Sequence, residues 1–376
     1  MKKRALLITT VSGFVPQFEM NNVHILESMG YEIHYAANFQ MPSYGTDNSR
    51  LENTNIKCHQ IDFCRKPFKK NNIKAYIQLK NLIKQESFDL IHCHTPMGGA
   101  LGRLAARKST TKAVIYTAHG FHFFKGAPLI NWFIYYPVEW LLARYTSQLI
   151  CINHEDFLRA KRFPCHRVDY VPGVGIDIDL INHSILCPDN VIRKRRSLGI
   201  PDGKKVLLSV GELIPRKNHA AVIQALKLLN NRNICYVICG HGILKEELCA
   251  LANKLDIMEQ VYFLGYRNDI LELYQIADLF LLPSFQEGLS VALMEAMAIG
   301  VPVIGSDIRG NRDLLGSGKG ILVKKNTPFE YASKIHFLLN HGKMRKILKK
   351  RGIEEVKKYD IHQVEKKMRD IYRRFN

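Results

Sequence analysis

No apolar run in this sequence is long enough to cross a bilayer as a helix, which takes about 20 residues. The start, Met1-Lys-Lys-Arg4 followed by a short apolar run over 5–10, has the outline of a signal peptide. That run is too short, and no small-residue cleavage site follows it, so it reads as a first buried strand. Paired cysteine motifs are missing too. The 9 cysteines are odd in number and scattered, with no Cys-x-x-Cys among them. A disulfide framework is therefore excluded, and a reduced cytoplasmic protein with small buried thiols is expected. His92-Cys-His94 is of metal-ligand type but has no second cluster beside it, so no metal is expected. Acidic side chains are scarce, 34 against 54 basic ones, which leaves a formal net charge of +20. Such an excess favours anionic partners: nucleic acid, phosphorylated substrates or acidic lipid head groups. It is also what a merely solvated basic surface looks like. Two nucleotide-binding signatures are missing as well. No Gly-x-Gly-x-x-Gly follows the first apolar run, and Lys245 stands where Gly240-His-Gly242 needs its third glycine, which excludes the dehydrogenase fingerprint. There is no Walker phosphate loop, no short-period repeat and no low-complexity segment.

What is present is an alternation of short, Val- and Ile-rich runs with longer helical stretches. Strands are predicted at 5–10, 32–37, 89–93, 113–118, 148–152 and 168–171, then at 206–210, 235–239, 261–264, 279–282, 301–305 and 320–323. Fully apolar strands alternating with helices make parallel sheets covered on both faces. With 376 residues there is room for two such domains. The break is predicted between Val171-Pro-Gly-Val-Gly175 and the basic segment 192–199, which places a binding cleft between two facing sheets. The basic tail over 342–376 reads as an amphipathic helix. Residues 126–150 hold both tryptophans and several tyrosines, interrupted by Pro137, Glu139 and Arg144. This segment reads either as an interfacial helix on a membrane surface or as one buried against the first sheet.

The most informative stretch is Leu282-Pro-Ser-Phe-Gln-Glu-Gly-Leu-Ser-Val-Ala-Leu-Met-Glu-Ala-Met-Ala298. Pro283 stops a strand, Gly288 gives a tight turn, and Ser290 caps a helix that ends at Gly300. Glu287 then lies in the loop and Glu295 about one turn inside the helix, while the free N–H groups near Leu289 and Ser290 seat a phosphate. A ligand with both hydroxyls and phosphates, such as a nucleotide sugar, suits that set. On spacing alone the pair reads equally well as one solvated and one salt-bridged glutamate. Four more loops follow strands: Thr9-Thr-Val-Ser-Gly-Phe14, whose Gly13 lets backbone approach a diphosphate; Thr117-Ala-His-Gly-Phe-His122, which presents His119; Val210-Gly-Glu-Leu-Ile-Pro-Arg-Lys-Asn218, where Arg216 and Lys217 suit a leaving diphosphate; and Phe263-Leu-Gly-Tyr-Arg267. A lone histidine and a pair of loop cations are, taken singly, as well explained by structure and solvation. Asp177-Ile-Asp179 has the outline of a metal-binding acidic pair but reads as a helix start.

Together these segments resemble the family 4 glycosyltransferases of the GT-B fold over nearly the whole chain. The resemblance rests on Glu287-x7-Glu295 within Pro283-Ser-x-x-Glu-Gly-Leu-Ser290, on Gly211 to Lys217, on Val171-Pro-Gly-Val-Gly-Ile-Asp177 and on Phe263-Leu-Gly265. His92-Cys-His-Thr-Pro-Met-Gly-Gly99 and Thr117-Ala-His-Gly-Phe-His-Phe-Phe-Lys-Gly-Ala-Pro128 resemble the bacterial branch that builds exopolysaccharide or capsule repeat units.

The resemblance implies an acceptor-side domain over 1–175, a nucleotide-sugar domain over 176–355 and a basic helix over 356–376 returning to the first domain. It implies Glu287, His119 and Lys217 as catalytic residues. Glu287 would bind hydroxyls of the donor sugar, Glu295 the ribose hydroxyls, Lys217 with Arg216 the diphosphate, and Arg267 the base. Backbone at Gly13, Gly288, Leu289 and Ser290 would complete the cradle, and His119 would touch the transferred sugar. One departure stands out: Glu212 occupies the place where the family commonly has arginine. The implied reaction moves a hexose or N-acetylhexosamine, with retention, from a nucleoside-diphosphate sugar, UDP by analogy, without a metal cofactor. The implied acceptor is a lipid-linked saccharide at the inner membrane face, reached by peripheral contact with acidic lipid and with no nucleic acid involved. The alternatives are a nucleotide-sugar epimerase of the same fold and a basic nucleic-acid-binding protein.

Overall fold

A computed structural model describes residues 2–44 and 47–376. The chain divides into two compact units, 1–174 with 362–376, and 175–361. The first holds seven parallel strands: β1 (Lys3–Val11), β2 (Tyr31–Asn38), β3 (Lys57–Gln60), β4 (Leu90–His94), β5 (Ala113–Ala118), β6 (Gln148–Cys151) and β7 (Val168–Tyr170), in the order β3-β2-β1-β4-β5-β6-β7. The second holds six: β8 (Lys205–Val210), β9 (Ile234–Cys239), β10 (Val261–Gly265), β11 (Leu279–Leu282), β12 (Val303–Ser306) and β13 (Ile321–Val323), in the order β10-β9-β8-β11-β12-β13. Helices cover both faces of each sheet, so the inner strands β1, β2, β4 to β6, β8, β9, β11 and β12 are largely buried and show no polar alternation. This is the pair of doubly wound α/β sheets that the sequence predicts.

Order reverses between β1 and β4 in one sheet and between β8 and β11 in the other. Ligands of such sheets bind beyond the carboxyl ends of the strands at that reversal. The loops that follow these strands are the ones carrying Gly13, Thr95, Glu212 to Lys217, and Ser284 to Ser290.

The structure departs from the sequence expectation in two places. Strand β3 is missing from the predicted set; it is an edge strand, pairing Lys57 to His34 in register, and its Lys-Cys-His-Gln sequence is largely exposed. The basic tail is two helices, Gly342–Val356 and Ile361–Arg373, not one over 342–376. Between them the chain turns through Lys357–Tyr359 and runs extended at Asp360, where Ile176 N donates to Tyr359 O (3.0 Å) and Ile361 N to Ile176 O (2.9 Å). Only from His362 onward does the tail belong to the first unit. There Val364, Met368, Ile371 and Tyr372 join the core of β1, β2 and β4 to β6.

The aromatic segment forms the helix Leu129–Ala143, in which Leu142 and Ala143 are the buried residues. Its two faces divide the two expectations. Trp132, Tyr135, Tyr136 and Trp140 pack on the core, while Leu129, Ile130, Phe133, Val138 and Leu141 stand exposed.

Candidate active site

In the second unit, the loop after β8 and the loop after β11 are tied together by charge. Lys217 Nζ lies 2.7 Å from Glu287 Oε1, and Arg216 Nη1 lies 3.2 Å from Glu287 Oε2. Arg216 Nη1 also donates to Gln286 O (2.7 Å), and Phe285 N donates to Arg216 O (2.8 Å). Burial pushes the Glu287 carboxyl up, but Lys217 and Arg216 outweigh it and hold the group at about 2, ionised at neutral pH. The lysine stem crosses Gly211, where a Cβ would lie 3.2 Å from Lys217 Cε. Glu212, in the place of the family's arginine, makes no side-chain hydrogen bond or ion pair among the described residues. Its carbonyl meets His219 Nε2 at 3.3 Å.

The helix Val291–Ile299 begins beside this triad. Ser290 Oγ accepts from Leu293 N (3.3 Å), and Gly300 closes the helix at φ 89°. Leu289 is buried. Gly288 is pressed against Gly310, where a Cβ would stand 1.9 Å from Gly288 O, and Arg309 Nε donates to Glu287 O (3.1 Å). The loop is therefore fixed from behind, and the first-turn N–H groups carry the positive end of the helix dipole. Glu295 points from the helix to Tyr274, whose hydroxyl donates to Oε2 at 2.9 Å. Burial raises the Glu295 carboxyl to about 7 against the lowering effect of that hydrogen bond. Arg267 is already engaged: Asp269 takes its guanidinium at 2.8 and 2.5 Å, and Lys194 binds the same carboxylate. Asp177 caps the helix Ile178–His183 by accepting from Leu180 N (2.7 Å), as a helix start should.

In the first unit, His119 follows β5 and is brought to two residues. Its Nε2 lies 3.1 Å from His94 Nδ1 and 3.4 Å from Glu19 Oε1, and His94 Nδ1 lies 3.3 Å from the same oxygen. The Phe14 ring meets His119 edge-on at 4.9 Å. Burial lowers the His119 imidazole to about 4, so it is neutral at physiological pH. His92 is occupied structurally, with Tyr372 Oη at 2.8 Å from Nδ1 and Thr117 Oγ1 at 2.8 Å from Nε2. Gly13 has a packing reason of its own: a Cβ there would lie 1.6 Å from Ser43 O. Glu19 was not legible in the sequence. It joins the helices Phe14–Phe18 and Met20–Ser28, and nothing in its neighbourhood signals histidines 75 and 100 positions away.

Residues 4–153 match the family described as glycosyl transferase 4-like, and residues 190–355 match glycosyl transferases group 1. Over 379 residues the chain is 35% identical to the putative glycosyltransferase EpsD of Bacillus subtilis (strain 168), covering 99% of this chain and 97% of that one. The chain is a family 4 glycosyltransferase. It is also 28% identical, over 331 residues and 85% and 83% of the two chains, to the UDP-Gal:α-D-GlcNAc-diphosphoundecaprenol α-1,3-galactosyltransferase of Escherichia coli. Among solved structures, HepE of Anabaena in complex with UDP and glucose matches with a TM-score of 0.79 at 19% identity, covering 100% of both chains. That likeness is one of fold, and the fold of this glycosyltransferase is GT-B. Transferase chemistry thus stands in place of the epimerase alternative.

Proposed function

We propose that this glycosyltransferase moves a hexose or N-acetylhexosamine, with retention, from a UDP-sugar to a lipid-linked saccharide during bacterial surface-polysaccharide synthesis. The observation that carries the donor half is the Lys217–Glu287–Arg216 triad beside the start of the 291–299 helix. Two cations share one carboxylate, so the triad retains net positive charge for a diphosphate. Lys217 is a point charge on a movable stem and Arg216 a planar fork. Charge that develops on the departing diphosphate is stabilised by both and by the helix N–H groups. Glu287 stays ionised and accepts sugar hydroxyls, and Glu295 accepts the ribose hydroxyls. Arg267 serves the base through the position of its loop, because its guanidinium is held by Asp269. His119 contacts the transferred sugar through Nδ1, its other nitrogen being taken up by His94 and Glu19. The positive charge comes from side chains, so the transfer step needs no metal.

The acceptor half is supported by the E. coli relative, whose name specifies a diphosphoundecaprenol-linked sugar, and by the 129–143 helix. Its exposed aliphatic face, with Lys125 and Arg144 exposed near its two ends, suits shallow insertion among acidic lipid head groups. Lys217→Ala is expected to keep its fold and lose about 10²–10³-fold in turnover of a UDP-sugar, the effect of removing one charge-stabilising contact. Unchanged turnover in a folded variant would remove the donor half. Proton NMR of the product anomer tests retention.

A further inference from the structure

Glu19, His94 and His119 meet in the first unit as a set of which the proposed sugar transfer uses only His119, and that through its other nitrogen. Glu19 Oε1, His94 Nδ1 and His119 Nε2 form a triangle with edges of 3.1, 3.3 and 3.4 Å. Glu19 and His94 are buried, at 1% and 0% exposure. Asn22 Nδ2 donates to the other oxygen of Glu19, which leaves Oε1 for the two imidazoles.

With Glu19 ionised, two-centre hydrogen bonds leave one edge of this triangle unjoined. An imidazole nitrogen carries either one proton or one lone pair in the ring plane, so it makes one such bond. If the two imidazoles bond to each other, neither has anything left for Glu19 Oε1. If both donate to Glu19 Oε1, their mutual approach sets two N–H groups against each other. Either way one edge is left to a shared, three-centre proton or to a proton on Glu19 itself. The two edges to Glu19 also exceed the usual N–H···O separation of about 2.9–3.0 Å.

A cation at the centre needs one lone pair from each atom and no proton. Bonds of about 2.0–2.1 Å in a tetrahedron put neighbouring ligand atoms about 3.3–3.4 Å apart, and the three edges cluster at that value. Two imidazoles and a carboxylate, with a fourth position left open, form a set that zinc accepts. Asn22 supplies the outer hydrogen bond that orients a ligating carboxylate.

We propose that Glu19, His94 and His119 bind one zinc ion through Oε1, Nδ1 and Nε2, with the open position towards the crevice that Glu19, Asn22, Thr117 and His119 help to line. Zinc on Nε2 fixes the His119 tautomer with its proton on Nδ1, which makes that atom a permanent donor. This last consequence rests on the sugar contact proposed above; the ion site does not.

The test uses the untagged full-length chain, stripped with chelator, dialysed, and titrated with Zn²⁺ by calorimetry and with Co²⁺ by visible absorption. One equivalent of zinc per chain is expected, with intense tetrahedral-type cobalt bands. In Glu19→Gln and His94→Ala both signals should fall at least 100-fold in affinity, and in Asn22→Ala about 10–100-fold. Circular dichroism checks the fold; if either ligand variant does not fold, Asn22→Ala and the wild-type cobalt spectrum decide. Absence of saturable binding, a weak octahedral cobalt spectrum, or affinity undiminished in the folded variants would overturn the proposal. Sugar transfer lost with zinc binding intact would count against the donor chemistry and leave the ion site standing.

Discussion

Glu287 and Lys217 are 70 positions apart in the chain, and each is unremarkable until the other is beside it. Both were legible as candidates, because a strand-to-helix loop exposes what it carries. Their pairing was not, since nothing in either segment encodes contact with the other. The pair has a measurable signature in stability. Burial alone would raise Glu287; the cations hold it at about 2 instead of the ordinary 4.5. Its folded-state value is depressed, so its contribution is present above about 4.5 and is lost as pH falls towards 2. Lys217→Met is expected to cost up to about 3 kcal/mol in urea unfolding at pH 7 by leaving the buried carboxylate with Arg216 as its remaining charge partner. Adding Glu287→Gln should restore part of that; a double variant as unstable as the sum of the two singles would deny the coupling. Glu295 titrates in the other direction. Its carboxyl is raised to about 7, so it is largely protonated at pH 6 and ionised at pH 8. If it accepts hydrogen bonds from ribose hydroxyls, affinity for a UDP-sugar should rise through pH 7 and level off above, and Glu295→Gln should flatten the profile. A wild-type profile already flat from pH 6 to 8 would remove Glu295 from that role.

At the scale of elements, the predicted strands mostly coincide with the observed ones because parallel strands are buried on both faces and read as continuous apolar runs. β3 escaped for the converse reason: an edge strand with exposed side chains has no apolar run to show. The 291–299 helix was legible to the residue, since Ser290 and Gly300 punctuate it chemically. Ser290→Ala is expected to cost about 1 kcal/mol through the lost cap, measured by thermal unfolding, with nucleotide affinity weakened at the same helix start. The tail break at Lys357–Tyr359 was not legible, because it depends on the bridge between Ile176 and Asp360, far apart in sequence. Gly13 has a packing reason of its own, apart from the diphosphate approach expected of it. Its bare Cα admits Ser43 O, so Gly13→Ala should destabilise the first unit by about 1–3 kcal/mol through overpacking. Unaltered unfolding of that variant would mean the 43 loop yields freely.

At the scale of the whole molecule, +20 of net charge and an exposed aliphatic helix face concern the surroundings more than the fold. Flotation with vesicles containing acidic lipid should carry the wild-type chain upward at low salt. Phe133→Asp with Leu129→Asp should stay at the bottom, and neutral vesicles should bind weakly. No flotation even at low salt would remove the membrane from the proposal. The central claim is narrower: the cations after β8 take the diphosphate of the donor. Calorimetric titration of UDP into the wild-type chain and into folded Lys217→Ala tests it most directly. One site per chain is predicted, weakened at least about tenfold in the variant, a loss of about 1.4 kcal/mol; equal affinity in the two proteins would contradict it.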